Sequence, residues 1–317
     1  MLPIKTLGRC GVEVTMLGTG GAALGMLLED DDSQRRRGAA VAAVQRAVEL
    51  GVRYFDTSPA YGGSLAERHL GAGLAALDPV IRAEIVVSTK VGTHPQRRGG
   101  YGAEDIRWSY ENSREILGPI DIVFVHDPRS DEDMDTILAP GGAFEVLEEL
   151  KAGGQIRALG LGVRRHRYLR RAIESGRADV ILPSYDYHPI RQSLEPLLAV
   201  AAGAGVGVVN GSPYQAGLLA GIDLSAPVRR PSDGDLARAR QIYAWCAARE
   251  VEVGALAVQF SLRQGRISST LTGPRTVAEV EDSIRHATAS IGEAIWEELA
   301  DFLSTLQPPP VPGGEAQ

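Results

Sequence analysis

The amino-acid sequence alternates between short runs rich in β-branched residues and longer stretches in which apolar residues recur with helical spacing. Eight such runs occur, and helical periodicity lies between them. The predicted strands are residues 13–21, 53–58, 84–92, 121–128, 156–163, 178–186, 205–213 and 267–273. The predicted helices are residues 35–50, 65–76, 105–117, 142–152, 166–175, 193–203, 233–250, 254–264, 276–287 and 292–305.

Eight buried strands that alternate with helices in a chain of 317 residues are typical of a (β/α)8 barrel. A doubly wound open sheet would show the same alternation, but the count of eight favours the barrel. Residues 4–17 predict a hairpin turned at Arg9–Gly11, which would cap the bottom of the barrel. No repeat or linker divides residues 1–305, so we expect one domain, followed by a disordered tail rich in proline and glycine at residues 306–317.

Charge and cysteine usage argue against several classes of function. The net charge is -7, which gives no general attraction to nucleic acid or to an anionic membrane surface. The two cysteines, Cys10 and Cys246, lie far apart and show no metal-binding spacing, so we expect neither a disulfide framework nor a metal site. We recognise no signal peptide and no apolar run long enough to span a membrane. We therefore expect a cytoplasmic protein that acts on a small molecule.

Reactive side chains lie at the ends of three neighbouring predicted strands. Asp56 ends the second strand in "RYFDTSPAYG", and Tyr61 lies in the loop that follows. Lys90 ends the third strand in "VVSTKVG", and His126 ends the fourth in "VFVHDP". Each of the three strand-end residues also has an ordinary structural interpretation. Asp56 would be a turn or helix cap, Lys90 a solvated cation and His126 a structural histidine. Because the strands of a barrel carry their C-terminal ends to one rim, we expect all four side chains at one mouth.

These four residue types together suit proton transfer. A tyrosine with a pKa near 10 is a poor acid or base at neutral pH, and a neighbouring cation lowers that pKa. Lys90 would be this cation and Asp56 its anionic partner, while His126 would donate a hydrogen bond to a substrate oxygen. Proton transfer to a carbonyl oxygen is half of a carbonyl reduction. The other half is a hydride, which no side chain supplies, so a nicotinamide cofactor is implied.

The segments "YFDTSPAYG", "ERHLGAGL", "VVSTKVG" and "DIVFVHDP" resemble the signatures of the aldo-keto reductases, and the resemblance extends to about residue 288. It implies a (β/α)8 barrel that binds NAD or NADP in an extended pose without a GxGxxG loop. It further implies that Tyr61 is the general acid/base, that Lys90 and Asp56 adjust its pKa, and that His126 orients the substrate. Residues 185–198 and 207–220 most resemble the branch with L-fucose and D-threo-aldose 1-dehydrogenases and pyridoxal 4-dehydrogenase. That branch implies oxidation of a cyclic hemiacetal to a lactone.

The resemblance also implies a set of cofactor-binding residues. They are Gly20, Ser184, Ser212, Gly217, Leu218, Gly273, Arg275, Glu279 and Asp282. Arg275 suits the 2′-phosphate of NADP whereas Glu279 opposes it, so the sequence leaves NAD and NADP open, with a slight lean to NAD. The chain departs from the family where Arg164 and Arg165 replace a common Ser-Asn pair and Ser184 replaces a glutamine. These arginines would be solvated or would contact an anionic substrate group.

Two other functions are weighed against a carbonyl–alcohol oxidoreductase. A Schiff-base lyase would use Lys90 as its nucleophile, but an acidic partner keeps a lysine charged. A regulatory protein would bind the cofactor with little turnover. We expect the pocket walls near Met26–Leu28, Trp108, Arg129 and residues 214–232. The sequence does not predict the substrate, the preferred direction or the oligomeric state.

Overall fold

A computed structural model describes residues 2–26, 33–225 and 231–306. An antiparallel hairpin of β1 (Ile4–Thr6) and β2 (Glu13–Thr15) precedes eight parallel strands. These are β3 (Leu17–Gly20), β4 (Tyr54–Asp56), β5 (Val86–Val91), β6 (Ile122–His126), β7 (Ala158–Gly162), β8 (Val180–Leu182), β9 (Gly207–Gly211) and β10 (Ser269–Thr272). Each barrel strand pairs with the next along the chain, and β10 pairs with β3 to close the barrel. The predicted (β/α)8 barrel is therefore confirmed, and the open sheet is excluded.

Twelve α-helices occur in the described ranges. They are α1 (Ser33–Glu49), α2 (Leu65–Ala75), α3 (Pro79–Ala83), α4 (Ala103–Leu117), α5 (Asp131–Leu138), α6 (Ala143–Ala152), α7 (His166–Glu174), α8 (Glu195–Gly203), α9 (Asp233–Ala247), α10 (Val253–Leu262), α11 (Val277–Thr288) and α12 (Glu293–Thr305). None of these helices is long and apolar enough to cross a membrane. The predicted tail lies outside the described residues, apart from Leu306.

The sequence patterns missed three features of this architecture. The predicted strand 13–21 is two strands, because the chain leaves the hairpin at Met16 and enters the barrel at Leu17. Helix α3 is a single short turn that begins at Pro79 and is capped by Asp78. Helix α5 starts at a capping box formed by Ser130 and Asp133. Both helices are too short to give a strong periodic signal.

The hairpin covers the N-terminal end of the barrel, as predicted. The backbone N–H of Arg9 donates to the Gly205 carbonyl at 2.7 Å, just before β9. The Arg9 guanidinium donates to the carbonyls of Gly176 and Ala178, just before β8. Three apolar side chains from this region, Leu7, Val12 and Val14, pack against the side chains inside the barrel. The lower end of the barrel is therefore filled and closed, which leaves the opposite rim for chemistry.

Strand alternation decides which side chains enter the barrel. In β4, Tyr54 belongs to the interior cluster, whereas Phe55 packs against the surrounding helices. The next residue, Asp56, again points inward because successive side chains of a strand face opposite sides. The same period of two places Lys90 of β5 and His126 of β6 inside the barrel. The interior is apolar near the hairpin and becomes polar toward the C-terminal rim.

Candidate active site

Asp56 and Lys90 form a buried ion pair at the C-terminal rim. Their side chains are 4% and 1% exposed, and Lys90 Nζ lies 2.5 Å from Asp56 Oδ2. Lys90 also donates to the carbonyl of Thr57 at 2.7 Å. The other oxygen of Asp56 accepts from Ser88 Oγ at 2.7 Å, and Ser88 in turn meets the hydroxyl of Tyr54 at 3.0 Å. The ammonium group is thus fixed from below by a chain of buried hydrogen bonds.

The ion pair keeps Lys90 charged. Burial by itself lowers the pKa of Lys90, but the Asp56 carboxylate and the Tyr61 phenol raise it above its ordinary value. Burial raises the pKa of Asp56, and the positive charge of Lys90 acts against that effect. A lysine held as an ammonium ion is a stable cation for its neighbours and a poor nucleophile.

Tyr61 lies against this cation in the loop between β4 and α2. Its ring centroid is 5.0 Å from Lys90 Nζ, and its ring packs edge-to-face on His126 at 5.9 Å. The loop turns tightly because Tyr61 N–H donates to the Ser58 carbonyl at 3.1 Å. Gly62 follows with a φ of 60°, and a Cβ there would collide with the Gly25 carbonyl oxygen. A glycine is therefore needed directly after the tyrosine.

The pKa of Tyr61 shifts in the direction opposite to our expectation. Desolvation raises this pKa above its ordinary value, while the charge of Lys90 lowers it and that of Asp56 raises it further. Lys90 thus opposes the effect of burial without reversing it. The phenol is protonated at neutral pH, as a proton donor to a carbonyl oxygen must be.

His126 is neutral and is held by two hydroxyl groups. Its Nδ1 lies 2.7 Å from Thr93 Oγ1 and 3.4 Å from Ser58 Oγ. Burial, followed by the charges of Lys90 and Arg98, lowers the pKa of His126 well below its ordinary value. Its other nitrogen, Nε2, faces the carboxylate of Asp127 at 3.5 Å. Sequence reasoning missed Thr93 and Ser58; their only signal was that they flank the predicted strand ends.

The residues predicted to bind a cofactor fall on the other side of the rim. Gly20 ends β3, and Gly273 directly follows β10. Ser184 lies beyond β8 and pairs there with Gly211, and Ser212 directly follows β9. Strands β8, β9, β10 and β3 are adjacent in the barrel, so these four residues form one arc. The arc faces the strands that carry Asp56, Lys90 and His126.

The loop after β9 has an unusual backbone. Ser212, Gln215 and Ala216 have φ values of 61°, 50° and 54°, and Gly217 has a φ of 93°. The side chain of the next residue, Leu218, is buried in the cluster beneath helices α9 and α10. Leu218 thus anchors the loop in the protein, and the exposed turn before it contains Gly217.

Arg275 and Glu279 are brought together, whereas Asp282 is directed elsewhere. Glu279 accepts from Arg275 Nη2 at 2.7 Å and from the Arg275 backbone N–H at 2.7 Å. Asp282 instead accepts from Arg285 Nη2 at 2.7 Å. Arg275 also lines a small surface pocket with Arg36, a residue that sequence reasoning did not select.

The two arginines that replace the common Ser-Asn pair are engaged by the protein. Arg164 Nη2 lies 3.0 Å from Asp186 Oδ1, and that carboxylate is only 2% exposed. His166 Nε2 contacts the other oxygen of Asp186 at 3.2 Å. Arg165 donates to the carbonyl of Arg129. Both arginines are bound within the rim rather than simply solvated.

The predicted pocket walls are described only in part. Met26 is exposed beside the mouth, whereas residues 27 and 28 lie outside the described ranges. Trp108 is covered by the guanidinium of Arg97 at 4.6 Å and meets the ring of His94 at 4.6 Å. Within residues 2–26, 33–225 and 231–306, no cluster of His, Cys, Asp or Glu is suited to hold a metal ion.

The chain is similar to known proteins over most of its length. The model of the Aldo/keto reductase family matches residues 17–302. The chain is 34% identical to L-galactose dehydrogenase of Arabidopsis thaliana, over 97% of this chain and 95% of the relative. It is 32% identical to D-threo-aldose 1-dehydrogenase of a Pseudomonas species, over 92% and 94% of the two chains. It is 29% identical to pyridoxal 4-dehydrogenase of Microbacterium luteolum, over 93% and 96%.

A solved structure agrees with the fold. The holo form of an aldo-keto reductase from Bacillus halodurans superposes with a TM-score of 0.80 at 20% identity, covering 99% of this chain and 100% of that one. The likeness to the enzymes predicted from the sequence, D-threo-aldose 1-dehydrogenase and pyridoxal 4-dehydrogenase, is also confirmed.

Proposed function

The chain belongs to the aldo/keto reductase family and is an oxidoreductase, and from this premise we propose that it interconverts a carbonyl or sugar hemiacetal with an alcohol or lactone. Tyr61 is the general acid/base in this proposal. Relatives named for the dehydrogenation of L-galactose and D-threo-aldoses support a sugar hemiacetal as the substrate.

A nicotinamide dinucleotide, when bound, would supply or accept the hydride. The residues present fit such a cofactor, because β3 and β9 end in glycine and Gly273 directly follows β10. Strand β10 lies opposite β6 in the barrel order, so the space above these small residues faces His126 across the mouth. Ser212, Gly217 and Leu218 of the loop after β9 would hold the extended part of the dinucleotide, with Ser184 beside them.

The chemistry assigned to the chain's own residues follows from their contacts. In reduction, Tyr61 gives its proton to the carbonyl oxygen, and Lys90 stabilises the phenolate that is left. Asp56 keeps Lys90 charged and in place. In the His126 tautomer that carries its proton on Nε2, Thr93 donates to Nδ1, and Nε2–H can donate to the same substrate oxygen. In oxidation the proton returns along the same path.

We further propose that NAD is preferred to NADP. Two of the three guanidinium nitrogens of Arg275 donate to Glu279, and this carboxylate would repel a 2′-phosphate. The alternative, phosphate binding by Arg36 in the same pocket, predicts the opposite preference.

The convergence of Tyr61, Lys90, Asp56 and His126 carries the proposal, and Tyr61→Phe tests it. We expect kcat to fall by at least about a thousandfold while the dinucleotide dissociation constant stays near that of the wild type, because the phenol acts in chemistry. Tyr110→Phe is the matched control, since its hydroxyl contacts the Gln155 carbonyl away from the rim. Retention of most of kcat in Tyr61→Phe would refute the assignment.

Steady-state turnover also separates the enzyme from the two alternatives. A regulatory protein would bind dinucleotide but show little turnover with any aldehyde or aldose. A Schiff-base lyase would be trapped covalently at Lys90 by borohydride in the presence of a carbonyl substrate. The charged state of Lys90 speaks against the lyase.

A further inference from the structure

Asp127 directly follows the last residue of β6 and has a left-handed backbone with a φ of 46°. Asp and Asn tolerate this conformation better than most residues, but it still has a conformational cost. Two hydrogen bonds enforce it. The Asp127 N–H donates to the Gly162 carbonyl at the end of β7 at 3.0 Å, and the His126 carbonyl accepts from the Tyr101 hydroxyl at 2.9 Å. The peptide between His126 and Asp127 is therefore fixed on both sides.

This backbone aims the Asp127 carboxylate toward the reacting groups. Asp127 Oδ2 lies 3.5 Å from His126 Nε2, and the side chain is 56% exposed at the mouth. Its negative charge adds a small contribution to the raised pKa of Tyr61. The carboxylate thus stands beside the nitrogen that faces the substrate oxygen in the proposed reaction.

The other described residues leave the hydrogen-bonding capacity of this carboxylate unused. Across the three described ranges, no N–H or O–H group makes a hydrogen bond to it, and the neutral ring of His126 contacts it at 3.5 Å. The other carboxylates of the rim differ. Asp56 accepts from Lys90 and Ser88, and Asp186 accepts from Arg164 and His166. Asp127 therefore presents free acceptor atoms to whatever enters the mouth.

We propose that Asp127 is a specificity-determining residue that accepts a hydrogen bond from a substrate hydroxyl on the carbon next to the reacting one. Neighbouring oxygens of a sugar lie side by side, as do His126 Nε2 and the Asp127 carboxylate. The enzyme then favours hydroxylated carbonyls and hemiacetals over plain aldehydes. This inference rests on the proposed function, because that function places the reacting oxygen at His126.

The test compares two aldehydes with the same three-carbon skeleton, glyceraldehyde and propanal, both assayed in reduction with NADH and NADPH. The variants are Asp127→Asn and Asp127→Gly, because both residues tolerate a left-handed φ and neither forces the backbone to move. Asp131→Asn is the matched control. Its side chain is 60% exposed, and it pairs with Arg167 and Arg171 of α7.

We expect the ratio of kcat/KM for glyceraldehyde to that for propanal to fall about ten- to a hundredfold in Asp127→Gly, which loses the charged acceptor, and by less in Asp127→Asn, whose amide oxygen is a neutral acceptor. Asp131→Asn should keep the wild-type ratio.

An unchanged ratio in the Asp127 variants would overturn the inference. An equal loss for both aldehydes would also overturn it, because it would mean that Asp127 acts only through His126. A wild-type enzyme that does not prefer glyceraldehyde would also overturn it. An enzyme inactive on both aldehydes and on aldoses overturns the proposed function, and the inference with it.

Discussion

At the scale of single residues, the pKa of Tyr61 is set by two opposing effects. Desolvation raises it and Lys90 lowers it, and desolvation is the larger. The sequence correctly predicts a cation beside the tyrosine. It does not predict how deeply the loop buries the phenol. Burial depends on the packing of several loops, which no local pattern encodes.

Lys90→Met therefore has a pH-dependent signature. Without the cation, desolvation acts on Tyr61 unopposed, so its pKa rises further. In the oxidative direction Tyr61 must accept a proton, so kcat/KM rises with pH as the phenol deprotonates, and this ascending limb should move to higher pH. The double variant Lys90→Met with Asp56→Asn is the control, since it removes the uncompensated carboxylate. An unmoved limb in both variants would exclude Lys90 as the residue that adjusts the pKa.

Thr93→Val should remove the hydrogen bond that holds the His126 ring. Valine keeps the shape of threonine but cannot bond to Nδ1, which now lies 2.7 Å from the hydroxyl. We expect kcat to fall about tenfold or more as the ring loses its fixed tautomer, with dinucleotide affinity unchanged. Thr93→Ser restores the hydroxyl and should recover most of kcat. The ¹⁵N spectrum of the His126 ring reports the tautomer directly, and an identical spectrum in Thr93→Val would contradict this role.

At the scale of elements, strand periodicity explains what could be predicted about the site. Asp56, Lys90 and His126 each occupy an inward position of a strand, and the period of two alone places them on one side. Tyr61, Thr93 and Asp127 lie in loops, where no period applies. Tyr61 was found through its motif, whereas the other two were not selected, because a hydroxyl or a carboxylate in a loop is ordinary in any protein.

In the proposed preference for NAD, the first turn of helix α11 sets the choice of cofactor. Thr276 caps this turn by accepting from the Glu279 N–H, and the Glu279 side chain reaches back to Arg275. Glu279→Gln removes the negative charge and weakens the interaction with Arg275. We expect NADP to bind about tenfold more tightly in this variant, with NAD little changed, as measured by fluorescence titration.

The same helix provides the control for that change. Glu281 pairs with Arg46 of α1 and lies outside the first turn, so Glu281→Gln removes an equal charge without touching Arg275. If both variants bind NADP more tightly by the same factor, the change in net charge alone explains the effect. If the wild type prefers NADP and Arg36→Ala abolishes that preference, Arg36 binds the phosphate instead.

At the scale of the whole molecule, the two ends of the barrel have different tasks. The C-terminal rim carries the polar residues, and the N-terminal end is sealed by the hairpin through Gly8, Arg9 and their contacts with the residues before β8 and β9. The topology could be predicted because eight alternations leave few ways to close a sheet. The exact division at Met16 could not, since no glycine or proline separates the hairpin strand that ends at Thr15 from the barrel strand that begins at Leu17.

The division of tasks between the two ends predicts that changes at the hairpin affect stability and leave catalysis intact. Gly8 has a φ of 47°, and a Cβ there would collide with the Gly205 carbonyl oxygen and the Gly207 nitrogen, which are backbone atoms that cannot turn aside. Gly11 has a φ of 74° with nothing near its Cβ position, so Gly11→Ala adds backbone strain alone.

We expect Gly8→Ala to lower the free energy of unfolding by about 1 to 3 kcal/mol more than Gly11→Ala does, measured by urea titration. The kcat/KM of folded protein should be unchanged in both variants. Equal destabilisation would mean that the close contact of Gly8 with the barrel backbone does not contribute to stability. A selective loss of kcat/KM in Gly8→Ala would mean that the two ends of the barrel are coupled.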